Sequence, residues 1–358
     1  MELLPPRSQR WFQVAGALAI AAARLLDNPQ LRSLCEKLRQ LAEAGEASDA
    51  FIIAAVRTAL QAYIAGDYLR ANALLDALAP LMQVETSPRS PAAAAMLCLL
   101  RANRAGYAWQ LDLCPRYYEE SAALFEQIGD QRNAASQNFD AAVAYLDIGD
   151  FGRTEQLTRE IIAIADRLNL RRLSTACYRV LGAALYYVGR HDESREMNRR
   201  SLEQAEAAGD RRTGGACQII MALLEVAGGD WRRAEELAEA AQTSLVDLPS
   251  IRARALAVLG EIQLAQGRPE EALRNAAAAY AILESLGRLE SREAVVRLSY
   301  AEALRAAGAA AQALEILRAG RERLLAQAAC IADPAARRGF LSLPDPARLL
   351  RRCGELGI

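Results

Sequence analysis

Residues that end helices recur about every forty positions, in two interleaved series, along this 358-residue chain. The first series is Gly66, Gly106, Gly149, Gly189, Gly229, Gly267 and Gly308, and the second is Gly129, Asn169, Gly209, Pro249 and Gly287. Glycine and proline break helices and mark their ends, so each interval between neighbouring marks has room for one helix. Two series with one common period predict a repeated pair of helices, which is typical of helical solenoids.

The segments between these marks have helical periodicity. Apolar residues such as Leu157, Ile161, Ile164 and Leu168 recur at the spacing that gives a helix one buried face. An aspartate directly follows the turn glycine at Asp130, Asp150, Asp210 and Asp230. Its carboxylate can accept hydrogen bonds from the first free amides of the next helix, so these positions predict helix starts.

The composition excludes several classes of protein. The chain is 52% hydrophobic with a formal net charge of -1, whereas disorder requires low hydrophobicity and a large net charge. A strongly basic nucleic-acid binder is also excluded, because no charge excess is present to displace counterions from phosphate. The abundance of alanine favours helices and argues against an all-β fold, because alanine is depleted in strands.

Small residues occupy equivalent positions in successive repeats. Five residues after the turn glycine the sequence has Ala71, Thr154, Ser194, Ala234, Ala272 and Ala313. Ahead of Gly189 stand Tyr178, Leu181 and Gly182, and ahead of Gly267 stand Leu256, Leu259 and Gly260. With these motifs the chain resembles a tetratricopeptide-repeat array with long helices. The resemblance implies an all-α, right-handed superhelix of about seven to eight helix pairs with a C-terminal helical cap.

Three segments are expected. Residues 1–47 are predicted to form an N-terminal helix pair broken at Asn28-Pro29, residues 48–328 the repeat array, and residues 329–358 the capping helices. The repeat around Gly106 is longer than the others and Pro115 is expected near the start of its second helix, so the register over 91–128 is left open. The ends, LLPPRSQRWFQVAGALA and IADPAARRGFLSLPDPARLL, are similar to the repeat region of large bacterial serine/threonine kinase or signalling-ATPase regulators. Whether the chain is a fragment of such a regulator is also left open.

Residues for catalysis or metal binding are scarce. His191 is the only histidine and lies in a Gly-Arg-His-Asp turn, so it is interpreted as a solvated turn residue rather than a general base. The seven cysteines are scattered without CxxC spacing, and no glycine-rich phosphate loop occurs. We therefore predict no catalytic, metal or cofactor site and no enzyme. Free thiols and the absence of a long apolar segment predict a cytoplasmic protein with no membrane partner.

The resemblance also implies a binding surface, since one helix of each repeat lines the concave groove in that family. Carried onto this sequence, the groove residues are Phe139, Arg179, Tyr186, Ile219, Arg254, Glu261, Glu302 and Arg305. Arginine and tyrosine are frequent anchors of interfaces. The expected partner is a protein or peptide segment in this groove, not nucleic acid, and a homodimer is left open.

Three functions follow as hypotheses. The first is a non-catalytic interaction or regulatory scaffold that binds a peptide segment or partner protein. The alternative is a ligand- or peptide-sensing module of a bacterial signalling kinase, ATPase or transcription regulator. The third, an enzyme such as an α/α barrel hydrolase or cyclase, would require clustered inward-facing acids or histidines, and the sequence offers none.

Overall fold

The structure is a computed structural model that describes residues 4–25, 27–82, 89–289 and 291–358, and all regular secondary structure within these ranges is helical. Its helices are α1 Gln9–Arg24, α2 Asn28–Glu43, α3 Asp49–Ile64, α4 Tyr68–Leu78, a 3₁₀ helix Ala79–Met82, α5 Pro91–Tyr107, α6 Leu113–Gln127, α7 Gln131–Asp147, α8 Phe151–Arg167, α9 Arg171–Tyr187, α10 His191–Ala207, α11 Arg211–Gly228, α12 Trp231–Ser244, α13 Pro249–Ala265, α14 Pro269–Leu286, α15 Glu293–Ala306, α16 Ala310–Ala329, α17 Pro334–Ser342 and α18 Pro344–Glu355. Eight successive helix pairs, α1/α2 to α15/α16, precede α17 and α18 in these ranges. The predicted all-α repeat fold with a C-terminal cap is confirmed.

Helices begin and end where the sequence marks them. The carboxylates of Asp150, Asp210 and Asp230 each accept a hydrogen bond of 3.0–3.1 Å from the backbone N–H three residues later. Asp130 caps α7 in the same way at 3.0 Å. Each such cap stabilises a helix by about 1 kcal/mol. The turn at Gly149 has a φ of +79°, a conformation that glycine adopts without strain.

Small residues lie buried where paired helices cross. The residues five positions after six of the turn glycines are at most 3% exposed: Ala71, Thr154, Ser194, Ala234, Ala272 and Ala313. The Ser194 hydroxyl also donates a 2.7 Å hydrogen bond to the Gly182 carbonyl of the paired helix. A larger side chain at these positions would hold the two helices apart, because protein interiors are packed without spare volume.

Gly106 is a correction to the first series of turn residues, because it lies in the last turn of α5 and not in the connection between α5 and α6. Five residues, 108–112, join α5 to α6, whereas three residues, 188–190, join α9 to α10. Trp109 in this connection has a left-handed φ of 61°. Trp109, three residues after Gly106, therefore occupies the left-handed turn position, and Pro115 falls in the first turn of α6 as expected.

The described residues form two compact units. Unit 1 comprises Met1–Ala108 and Leu113–Asn138, and unit 2 comprises Trp109–Asp112 and Phe139–Ile358. In the core of unit 1 the rings of Phe12 and Phe51 meet edge to face with centroids 5.5 Å apart. The boundaries predicted at 47/48 and 328/329 lie between α2 and α3 and at the end of α16. Among the helices that the structure describes, none combines the length and the apolar character required to cross a membrane.

Unit 2 is built in two layers. Helices α9, α11, α13 and α15 each pack against the next member of this set, whereas α10, α12, α14 and α16 pack mainly against their neighbours in sequence. We call the set whose members contact one another the inner layer. Helix α18 packs on α15 and α16, and therefore takes the next position of the inner layer.

The C-terminal segment of unit 2 contacts the beginning of the same unit. The backbone of Gly339 in α17 approaches Ile148 and Gly149, which follow α7. The amide of Asp333 donates a 2.9 Å hydrogen bond to Asp112, and the Arg288 guanidinium lies 4.8 Å from the centroid of the Trp109 ring. Residues far apart in sequence thus meet within unit 2.

Adjacent arginines on the outer helices are matched by acids. Arg199 and Arg200 both pair with Glu196, at 2.9 and 2.6 Å, and Arg232 and Arg233 both pair with Glu236, at 2.8 and 2.9 Å. Exposed pairs of this kind contribute at most about 1 kcal/mol each to stability. Their main effect is a surface of mixed charge, in agreement with the low net charge of the chain.

Candidate functional site

Most of the predicted groove residues lie on one surface of unit 2. We define the inner face as the accessible side of the inner layer, α9, α11, α13 and α15, together with residues 139–147 of α7. The residues that are partly buried on it are Phe139, Arg179, Tyr186, Arg254, Glu261 and Glu302, and Arg305 is exposed at its edge. The repeat spacing that selected these positions therefore places them on successive inner helices.

Ile219 is a correction to the predicted set. Its side chain is fully buried in a core cluster with residues of α12 and α13, among them Leu237 and Val258. The reason is that α11 turns this position towards the following pair of helices, where an isoleucine is covered completely. Ile219 consequently offers no surface to a partner, whereas Leu223, one turn later on the same helix, remains partly accessible.

Tyr187 is the centre of an aromatic cluster on the inner face. Its ring stacks on Phe151 at a centroid distance of 5.3 Å, and it meets Tyr186 edge to face at 5.3 Å. The Arg292 guanidinium lies 4.7 Å from the Tyr187 centroid, and Arg254 donates to the Tyr187 hydroxyl at 3.3 Å. The tyrosine thus orders two arginines that come from α13 and from the start of α15.

Sequence reasoning missed Tyr187 and Arg292. Tyr187 lies one position after the groove position of Tyr186, and only the curvature of unit 2 brings α13 within its reach. Arg292 precedes α15 and has a left-handed backbone conformation, with a φ of 64°. An arginine in the sequence does not indicate this conformation, because residues other than glycine adopt it rarely. The lone histidine, His191, is partly accessible at the start of α10, and its ring stacks on Tyr186 at 5.7 Å.

The acidic groove residues are paired with α18. Arg348 donates to both carboxylate oxygens of Glu261, at 2.9 and 3.2 Å, and Arg352 donates to Glu302 at 2.6 Å. Arg305 also donates to Glu302, at 2.9 Å. Burial raises the pKa of the Glu261 carboxyl, and the Arg348 guanidinium opposes this rise. The cap predicted at the C-terminus therefore also covers the part of the inner face that α13 and α15 contribute.

Asp140 is an acid on the inner face that sequence reasoning overlooked. It lies three residues before Val143 and hence on the same side of α7. Burial raises the pKa of its carboxyl from 3.8 to about 7. A carboxylate in this position is desolvated, and no group of opposite charge holds its pKa down.

The buried carboxyl of Asp140 predicts a pH-dependent loss of stability. The folded-state pKa lies above the unfolded value, so the penalty is absent below pH about 4, grows between pH 4 and 7, and is complete above 7. We expect Asp140→Asn to raise the free energy of unfolding by about 1–2 kcal/mol at pH 8. The upper limit is about 4 kcal/mol, because each unit of pKa difference between the folded and unfolded states corresponds to about 1.4 kcal/mol. Urea denaturation of both proteins at pH 4 and pH 8 measures the difference.

The control for this prediction is Asp166→Asn, at an exposed position of α8. We expect it to change the free energy of unfolding by less than about 0.5 kcal/mol at either pH. Equal effects of the two substitutions at pH 8 would contradict the assignment of a buried, unpaired carboxyl to Asp140.

Comparisons with known proteins concern the fold. No family model matches the sequence, and no curated protein matches it. A Rap protein complexed with Competence and Sporulation Factor superposes with a TM-score of 0.66 at 14% identity, over 98% of each chain. NprR in complex with its cognate peptide NprX gives 0.61 at 13% identity, over 96% of this chain and 98% of that chain. Aspartyl phosphate phosphatase F from Bacillus subtilis gives 0.56 at 11%, over 99% and 96%.

These similarities establish the fold. The chain has the helical-repeat architecture of the tetratricopeptide type over nearly its whole length. The expectation from the turn glycines and small residues is thereby confirmed at the level of architecture. At identities of 11–14% the residues that carry function are not transferred from these structures.

Proposed function

We propose that this chain is a non-catalytic regulatory module that binds a peptide segment on the inner face of unit 2. One observation carries the proposal: Phe139, Tyr186, Arg179 and Arg254 stay partly accessible on inner helices whose opposite sides are buried in continuous cores. Aromatic and arginine side chains dominate the energetics of peptide and protein interfaces. A stack of rigid helices presents such groups at regular spacing to an elongated ligand.

The structural neighbours support a peptide as the ligand. NprR is described with its cognate peptide NprX, and a Rap conjugation gene regulator is described with the Phr* peptide. Both share the fold of this chain over at least 92% of its length. We therefore assign to this chain a peptide ligand, without transferring the identity of any of these peptides.

A second candidate function is sensing, and the position of α18 favours it. The pairs Arg348–Glu261 and Arg352–Glu302 join this helix to the inner face, so a ligand there would meet α18 directly. If the chain is a sensor, the protein that it controls would be a bacterial signalling kinase, an ATPase or a transcription regulator, as the similarity of the sequence ends implies. The two functions differ in whether a ligand displaces α18.

A regulatory rather than enzymatic function agrees with the state of the polar groups on the inner face. Glu261 and Glu302 are held by arginines, and His191 is stacked on Tyr186, so these groups are engaged in packing and ion pairs. The seven cysteines are free thiols, which supports a reducing, cytoplasmic setting.

The proposed function is tested with fluorescently labelled pools of random eight-residue peptides and the full chain. We expect a pool to bind the chain with a measurable change in anisotropy. The double substitution Phe139→Ala and Tyr186→Ala is expected to weaken this binding about ten-fold or more, because it removes two aromatic contacts. Trp231→Ala removes an aromatic residue at the start of an outer helix, 39% exposed, and is expected to leave binding unchanged. Absence of binding by every pool would contradict the proposal.

A further inference from the structure

Helix α17 is attached to the rest of unit 2 at few points. Five of its nine residues are exposed, and Phe340 is the only one of them that is buried. Helix α18, by contrast, buries Pro346, Leu349 and Cys353. Segments with few buried apolar contacts open locally while the rest of the protein stays folded. We therefore expect α17 to open without the unfolding of α18.

One side of α17 rests on the connection between α7 and α8. A β-carbon on Gly339 would overlap the Ile148 carbonyl oxygen, and a β-carbon on Gly149 would stand 2.9 Å from the Gly339 carbonyl oxygen. The contact is thus made between two backbones, without a side chain that could adapt to a displacement. Just ahead of the helix, the Asp333 amide donates its 2.9 Å hydrogen bond to Asp112. The positions of α17 and of this connection therefore depend on each other.

The connection leads directly into Phe151, the first residue of α8. The Phe151 ring stacks on Tyr187 with an angle of 22° between the ring planes. The same side chain packs against the core cluster that contains Phe340 of α17 and Leu349 of α18. A single side chain therefore contacts both the aromatic cluster of the inner face and the core to which α17 contributes.

We propose that α17 is a strap with two states, seated on Gly149 or locally open, and that the seated strap holds Phe151 against Tyr187. Because Tyr187 meets Tyr186 edge to face and orders Arg254, the seated state is the one that presents these groups to a ligand. Peptide binding and seating of the strap stabilise each other, since a ligand shifts an equilibrium towards the state that it binds more tightly. This inference rests on the proposed function and adds its regulation.

The strap gives the ligand an effect beyond its own binding surface. Opening would expose Phe340 and release the connection between α7 and α8, whereas seating covers both. A peptide on the inner face would therefore change the accessibility of α17. Such a change at a second site is what a module requires in order to pass a signal to another protein.

Hydrogen exchange of the full chain, followed by mass spectrometry, tests the strap without a ligand. We expect the backbone amides of α17 to exchange at least about 100-fold faster than those of α11, which contributes fully buried residues to the core. Phe151→Leu keeps an apolar side chain but removes the stack, so it should accelerate the exchange of α17 by a further factor of about ten. The matched control, Tyr280→Leu, removes the stack of Tyr280 on Tyr300, at 4.8 Å, and should leave the exchange of α17 unchanged.

The link to the ligand is tested with the random eight-residue peptide pools and two glycine variants. Gly339→Ala prevents seating, so it is expected to weaken the binding of a pool about ten-fold. Gly354→Ala, at an exposed position of α18, should leave the binding unchanged. A bound pool should also slow the exchange of α17 in the unmodified chain. Circular dichroism of each variant confirms that it is folded.

The outcomes for the strap and for the proposed function are separate. If a pool binds, but neither Gly339→Ala affects the binding nor the pool slows the exchange of α17, the strap is overturned while peptide binding stands. If no pool binds, the proposed function fails and the exchange measurements alone decide. Fast exchange of α17 that responds to Phe151→Leu and not to Tyr280→Leu then supports the strap. Exchange as slow as that of α11, or equal responses to the two substitutions, overturns it.

Discussion

Replacing Gly339 with alanine is expected to lower the free energy of unfolding by about 3 kcal/mol. A β-carbon at this position of α17 would overlap the carbonyl oxygen of Ile148. This oxygen is a backbone atom, so no side-chain rotation relieves the overlap, and α17 would have to move away from the end of α7. Urea denaturation of the full chain, followed by circular dichroism, measures the loss.

The matched control is Gly354→Ala in α18. A β-carbon there meets no atom within 4 Å, and the position is exposed. Alanine is a better helix former than glycine, so this substitution should stabilise the protein by up to about 1 kcal/mol. The same exchange of residues in two neighbouring helices should therefore have opposite signs. A neutral or stabilising Gly339→Ala would show that α17 does not rest on Ile148.

Leu349→Ala is expected to reduce the free energy of unfolding by about 3–4 kcal/mol, the second large effect. The Leu349 side chain is fully buried between α15, α16 and α17, and one of its methyl groups lies 3.4 Å from where a β-carbon of Gly320 would stand. Its removal leaves a cavity at the point where α18 is anchored. Chemical denaturation at pH 7 determines the loss.

The control for Leu349→Ala is Leu356→Ala, just beyond the end of the same helix, where the side chain is 40% exposed. It should change the free energy of unfolding by less than about 0.5 kcal/mol. Equal losses in the two variants would mean that α18 is not anchored by its buried face. In that case the ion pairs of Arg348 and Arg352, rather than Leu349, would have to hold the helix.

The fold could be predicted because its signals are local. Turn glycines such as Gly149 and Gly189 have positive φ, and the aspartates after glycine accept the expected cap hydrogen bonds. Crossing residues such as Ser194 are small because two backbones meet there. Each of these properties depends on a few neighbouring residues, and repetition makes the pattern visible in one sequence. The same repetition selected Phe139, Arg179, Tyr186 and Arg254 for the inner face.

The contacts of the candidate site could not be predicted in this way. Glu261 is 87 residues from Arg348, and Arg254 is 67 residues from Tyr187. Whether such residues meet depends on the curvature of unit 2, which sums small rotations between successive helix pairs. Ile219 could not be placed from the sequence for a similar reason, because a modest rotation of α11 about its axis decides whether this side chain lies in the core or in the groove. Arg292 depends on a backbone conformation for which arginine carries no preference.

The sequence by itself determined the helices, most of their caps, their pairing and most of the inner positions, because these follow from periodicity and from interactions within about one repeat. Only the tertiary structure decided which charges are paired. It placed Arg348 and Arg352 of α18 on Glu261 and Glu302, and left Arg179 without an acid among the described residues. The physical reason is that charges separated by many repeats in the sequence interact only after the tertiary structure has brought them together. Away from bulk water their interaction is stronger, because the effective dielectric constant is lower there.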